Sequence, residues 1–200
     1  MSMATQRIPF VTSEEYLDFD RQSEFRNEYV FGQIVAMAGA SPNHSLISAN
    51  TLIAIGARLD RSKCRIYDSG LRVCVDPQDV YAYPDLTVVC GQMLFSGPRL
   101  ETASNPKLVV EVLSPSTRAY DLGDKARMYT RISSMEEIVL IEQRQMRIEH
   151  WRRLQDKRWE LSVLEGGDAI LCLPSIGCDV PVAEIYDHVE FETTAGTDAP

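Results

Sequence analysis

The sequence predicts a mixed α/β domain, and three observations carry that expectation. Short apolar runs at residues 86–89, 108–113 and 137–141 are rich in β-branched residues and bounded by Pro, Gly or polar segments. They read as strands buried on two faces. Between the last two, residues 121–132 read as a helix, and strand, helix, strand in succession imply a right-handed crossover with parallel strands. Upstream, Leu46, Ile47, Asn50, Ile53, Ala54 and Ala57 fall at spacings of three and four, one mostly apolar stripe on a helix from His44 to about Leu59. From His44 to Ile141 the predicted order is helix, strand, strand, strand, helix, strand.

Taken in order, Thr12 or Ser13 can cap a first helix whose opening turn holds Glu14 and Glu15, where acids favour the helix dipole. Residues 28–37 read as strand, tight turn at Gly32, strand. Asn43 is the expected cap of the 44–59 helix. Residues 64–75 suggest a bent or paired strand segment with Ser69-Gly70 as its irregularity. Residues 91–106, with Gly91, Gly97 and Pro98, form a loop long enough to suggest function or mobility. A hairpin spans 145–165, with Gln155-Asp156-Lys157 at its turn and Trp151 and Trp159 in its arms. A short helix at 182–188 closes the domain. The expected organisation is a tail over 1–11, one domain over 12–189 and a disordered polar tail over 190–200.

Composition bounds the function. Two hundred residues, 44% hydrophobic and 24% charged, suffice for one sizeable core. No run approaches 18 apolar residues and the first seven lack a signal-peptide core, so neither a membrane span nor secretion is expected. The five cysteines (64, 74, 90, 172 and 178) are odd in number and form no Cys-x-x-Cys pair. They read as structural thiols of a reduced cytoplasmic protein, and a zinc site is disfavoured. The net charge of −9 argues against coating nucleic acid through bulk electrostatics. The charge is segregated, however. Arg144, Arg147, Arg152, Arg153, Lys157 and Arg158 crowd one stretch, either a solvated hairpin face or a phosphate-contacting strip.

Chemistry concentrates between Pro84 and Tyr129. Asp85 leads into one apolar run and Glu111 lies inside another, and an unpaired buried carboxylate is costly unless it meets a cation or a proton. A helix starting near Asp121 presents Lys125. Asp85, Glu111 and Lys125 can converge from two strands and a following helix, a metal-site constellation with a basic residue beside it. Each has a plainer reading: a turn acid for Asp85, a structural acid for Glu111, a solvated helix lysine for Lys125. Glu28 is either a third site acid or a salt-bridge partner of a local Arg. His44 either serves the site or packs and caps at its helix start. Tyr129 shares a helical face with Lys125 and reads as core.

With these residues in hand the chain resembles the Uma-two family of the PD-(D/E)XK nuclease superfamily. The matching words are Arg26-x-Glu28 with Phe31-Gly32-Gln33-Ile34, then His44-Ser45 and Pro84-Asp85. Val110-Glu111-Val112-Leu113-Ser114-Pro115-Ser116-Thr117 and Asp121-x-x-x-Lys125-x-x-x-Tyr129 complete the set, and the match runs from about Thr12 to Tyr186. The resemblance implies a restriction endonuclease-like core, cleavage of DNA with Mg2+ or Mn2+, Asp85 and Glu111 as metal ligands, and a homodimer. The superfamily's Glu-x-Lys would put lysine at 113, where Leu113 stands; Lys125 is expected to reach the same space from the helix. The competing expectation is a nuclease fold retained for nucleic-acid binding or protein assembly, with weak or no chemistry.

Overall fold

The computed structural model describes residues 10–191 except 38, 78, 98–99 and 116–117, so all but residues 10–11 and 190–191 of the expected tails over 1–11 and 190–200 lie outside the described residues. Two sheets dominate. The larger contains β3 (Cys64–Asp68), β6 (Leu86–Cys90), β8 (Leu108–Leu113), β9 (Glu137–Glu142), β10 (Arg147–Arg153) and β11 (Trp159–Glu165) in the order β11-β10-β9-β8-β6-β3. The smaller contains β1 (Asn27–Val30), β2 (Gln33–Ala36), β4 (Arg72–Asp76), β5 (Val80–Ala82) and β7 (Thr102–Ala103) in the order β2-β1-β5-β4-β7. A third pair, β12 (Ile170–Leu173) and β13 (Cys178–Pro181), leads into α5 (Val182–Ile185). As expected, β8 and β9 are parallel and the 147–165 segment is an antiparallel hairpin.

Side-chain alternation sorts β8 between two cores. Val110 and Val112 face α2 (Pro42–Arg58), β13 and α5, packing with Ile47, Ile55, Ile141 and Val180. Val109 and Leu113 face the other way, against Val73 and Val80 of the smaller sheet and Met128, Tyr129 and Ile132 of the helical segment after β8. Glu111 shares that second face. It therefore projects into the seam between the two sheets, beside Lys125 and the Tyr129 hydroxyl.

The N-terminal elements behave as their residues dictate. Thr12 caps α1 (Ser13–Gln22) in a reciprocal box with Glu15. The β1–β2 hairpin closes through Phe31 and Gly32, both at positive φ (46° and 84°), the backbone that a two-residue hairpin turn demands. A Cβ at Gly32 would collide with the Phe10 ring, so the position is closed twice over.

Several expectations are corrected. Ser41, not Asn43, caps α2: its hydroxyl accepts the His44 N–H at 3.1 Å, and Pro42 occupies the first helical position, where a missing N–H costs nothing. The 64–75 segment is two strands that do not pair with each other. β3 joins the larger sheet and β4 the smaller, so residues 69–71 form a corner between sheets. The 91–106 loop contains β7 and a bridge from Phe95 to Ala103. The cysteines are not all free thiols, since the antiparallel register of β3 on β6 places Cys64 opposite Cys90 and the two form a disulfide.

The helix after β8 does not start at Asp121. It begins with α3 (Arg118–Tyr120), continues through a π-helical turn (Asp121–Lys125) and ends in α4 (Ala126–Tyr129). The Ala126 N–H reaches back five residues to the Asp121 carbonyl, so Asp121 lies inside the helical segment and not at its start.

Candidate active site

The seam between the sheets gathers every candidate named from the sequence. Asp85 sits where the chain crosses from β5 to β6, and the pairing of Leu86 with Val110 brings it level with Glu111 on the neighbouring strand. Asp85 Oδ2 accepts the Val112 backbone N–H at 2.7 Å and lies 3.3 Å from His44 Nε2. Glu111 Oε1 accepts from the Tyr129 hydroxyl at 2.6 Å and lies 2.9 Å from the Lys125 ammonium. The same ammonium is 3.0 Å from Glu28 Oε1 and 3.9 Å from Asp121 Oδ1. Glu28 Oε1 also accepts the Tyr83 N–H at 3.2 Å.

Sequence separation hid several of these partners. Glu28 meets Lys125, 97 positions away, rather than a local Arg. Tyr129 packs in the core as expected, yet its hydroxyl is also a ligand of Glu111, a role that only the shared helical face with Lys125 hinted at. Tyr83 is held by a buried set without a sequence signature: its hydroxyl donates to Asp20 at 2.5 Å, and Asp20 also takes Arg72 at 2.6 Å.

Four carboxylates (Glu28, Asp85, Glu111 and Asp121) surround one ammonium and one imidazole. Burial pushes the Glu111 carboxyl up to about 8; Lys125 opposes the rise, and Asp85, Asp121 and Glu28 add to it. For Lys125 burial disfavours the charge, but Glu111 foremost holds the ammonium well above the usual lysine range. Burial likewise works against a charged His44, and the hydrogen bond and charge of Asp85 outweigh it, raising that imidazole. Burial, then Glu28, pushes the neighbouring Tyr120 up to about 12. The site therefore stores excess negative charge and answers it with retained protons.

Among the described residues no three His, Cys, Asp or Glu side chains form a closed metal cage. The hydrogen bonds and ion pairs described for the two central carboxylates fall on one oxygen of each, Oδ2 of Asp85 and Oε1 of Glu111. Leu113, two residues beyond Glu111 on the same face, is buried in apolar contact and brings no charge.

Comparison with known proteins agrees with this architecture. Two uncharacterized proteins of Synechocystis sp. (strain ATCC 27184 / PCC 6803 / Kazusa) are similar along most of their length. One, sll1609, is 31% identical over 169 residues, covering 84% of this chain and 94% of its own. The other, slr1290, is 34% identical over 184 residues, covering 92% and 95%. A crystal structure of a "putative nuclease belonging to DUF820" from Anabaena variabilis ATCC 29413 superposes with a TM-score of 0.73 at 18% identity, covering 88% of this chain and 97% of that one. At that identity the likeness speaks for the fold, which is restriction endonuclease-like. Residues 13–183 match the Uma2 family, described as "Putative restriction endonuclease". The chain belongs to the Uma2 family.

Proposed function

We propose that this protein is a metal-dependent endonuclease that hydrolyses phosphodiester bonds of DNA, with Asp85, Glu111 and Lys125 as its catalytic residues. The observation that carries the reading is one juxtaposition: carboxylates on adjacent strands, with a buried ammonium 2.9 Å from Glu111. The donor chemistry fits Mg2+ or Mn2+, which take one or two carboxylates and complete their shell with water and substrate phosphate rather than a protein cage. Asp85 and Glu111 would hold the ion. When bound, the ion makes a coordinated water more acidic and neutralises charge on the attacked phosphate.

The chain's own groups do the rest in this reading. Val112 N–H and His44 fix Asp85, and the Tyr129 hydroxyl fixes Glu111. Lys125 stabilises the negative charge that builds on the phosphate oxygens, where a preorganised cation in a dry seam acts most strongly. Glu28, anchored on Tyr83 N–H, keeps the ammonium beside Glu111. The chain is read further as a cytoplasmic homodimer with DNA as its partner. Incubation with single-stranded, duplex and branched DNA in Mn2+ or Mg2+ tests the reading. Wild type should cleave at least one of these, and Asp85→Ala should lose the activity by about two orders of magnitude or more. Cleavage at the wild-type rate by Asp85→Ala would contradict the assignment. Absence of cleavage from every substrate would favour a binding or assembly module.

A further inference from the structure

We propose that Glu142 and Gln143, at the C-terminal end of β9, are positioning residues that jointly set the strand and the two helices carrying the catalytic groups. The inference rests on the hydrolytic reading above. Glu142 lies opposite Leu113 in the parallel β8–β9 pair, Gln143 follows it directly, and both Glu142 and Gln143 are buried where the apolar run 138–141 ends. Each side chain grips the backbone or side chain of an element that carries one of the site's groups.

Gln143 uses both ends of its amide. Its Nε2 donates to the Leu113 carbonyl at 2.8 Å, on the strand that holds Glu111 two residues earlier. Its Oε1 accepts the Ser41 hydroxyl at 2.5 Å. That hydroxyl also accepts the His44 N–H at 3.1 Å, so one oxygen links Gln143 to the helical turn presenting His44 to Asp85. Glu142 faces the other helix. Its Oε1 takes Arg118 at 2.7 Å from Nε and 2.6 Å from the terminal nitrogen. Arg118 opens the helical segment three residues before the π-helical turn that ends in Lys125. The Tyr186 hydroxyl donates to the Glu142 backbone carbonyl at 2.8 Å and fixes the strand end itself.

Two consecutive side chains thus index β8, the start of α2 and the start of α3 against a single strand end. A glutamine buried with both polar groups engaged has a defined orientation, because leaving either unpaired is costly. Placement errors near an ångström are enough to slow a positioned reaction by large factors. Half-exposed Arg118 gives its pair little stabilising weight, which favours a geometric over an energetic role.

The test combines kinetics with a signal independent of catalysis. Gln143→Ala, the near-isosteric Gln143→Met and Arg118→Ala should each lower kcat by roughly ten- to a hundred-fold, with KM for an oligonucleotide unchanged. Arg118→Lys, which keeps a cation opposite Glu142, should recover most of that loss. The His44 imidazole resonance, identified by its disappearance in His44→Ala, should move in both Gln143 variants and stay in place in Arg152→Ala. An unchanged kcat in either folded Gln143 variant, a loss carried by KM, or a stationary His44 resonance would overturn the proposal. If wild type cleaves nothing, the hydrolytic reading fails, and the His44 resonance alone decides whether Gln143 positions that turn.

Discussion

Glu111 shows how a single residue links environment to behaviour. Its unperturbed value is 4.5, and burial with three further carboxylates raises the folded value to about 8 against the pull of Lys125. Folding therefore takes up a proton between those limits. The associated stability is fully present below 4.5 and is lost as pH rises through about 8. Metal-free wild type should consequently lose thermal stability over that interval relative to Glu111→Gln, which has no carboxyl to titrate. The Mn2+-induced rise in Tm should grow over the same interval, because the ion needs the carboxylate. Calorimetry of both proteins across pH checks this, and parallel profiles would contradict it. Asp85, Glu111 and Lys125 were legible in the sequence because a carboxylate in a β-branched run is costly and draws the eye to a cation. Gln143 and Tyr83 were not legible, since a polar residue at a strand end carries no signal until its partners are folded around it.

Elements were legible where local periodicity decides them and obscure where distant pairing does. The Phe31-Gly32 turn, the β8–helix–β9 crossover and the existence of α2 follow from spacing. The buried face of α2, however, is Ile47, Thr51, Ala54 and Ile55, while Ile53 and Ala57 of the expected stripe are exposed. The parting of β3 and β4 into different sheets does not, because each strand takes its direction from a partner elsewhere in the chain. The Cys64–Cys90 bond is hidden for the same reason: 26 residues separate the two, and only strand register makes them neighbours. Since it closes a loop of that size and ties edge strand β3 to β6, reduction or Cys64→Ser should lower unfolding free energy by about 2–4 kcal/mol in denaturant titration. No change on reduction would show that the strands hold without it. At the β1–β2 turn, Gly32→Val should destabilise by roughly 1–3 kcal/mol, because φ is 84° there and the Phe10 ring fills the side-chain space. A thermal melt equal to wild type would rule out that strain.

At the scale of the whole molecule, a chain of net charge −9 concentrates four carboxylates in a seam between its two sheets. A divalent ion there would offset charge that the fold otherwise answers with protons. Binding should stabilise the fold by mass action, on the order of 2.7 kcal/mol at a hundredfold excess over Kd. The 147–165 hairpin ends in β11, an edge strand that exposes Leu161 and Val163, and it is our candidate for either a homodimer contact or a DNA-facing arm. Light scattering should return a dimer mass, and a monomer at high concentration would count against pairing. The absence of charge at 113 was legible, and the approach of a lysine from the following helix to Glu111 could be anticipated. The route could not, because a π-helical turn rather than a cap sets the reach of Lys125. The most direct measurement is therefore the rate of Mn2+-dependent strand scission by Lys125→Ala beside wild type. We predict a loss on the order of a hundred-fold or more with the Mn2+-induced stabilisation retained, since lysine is not a ligand. Cleavage by Lys125→Ala at the wild-type rate would contradict the mechanism.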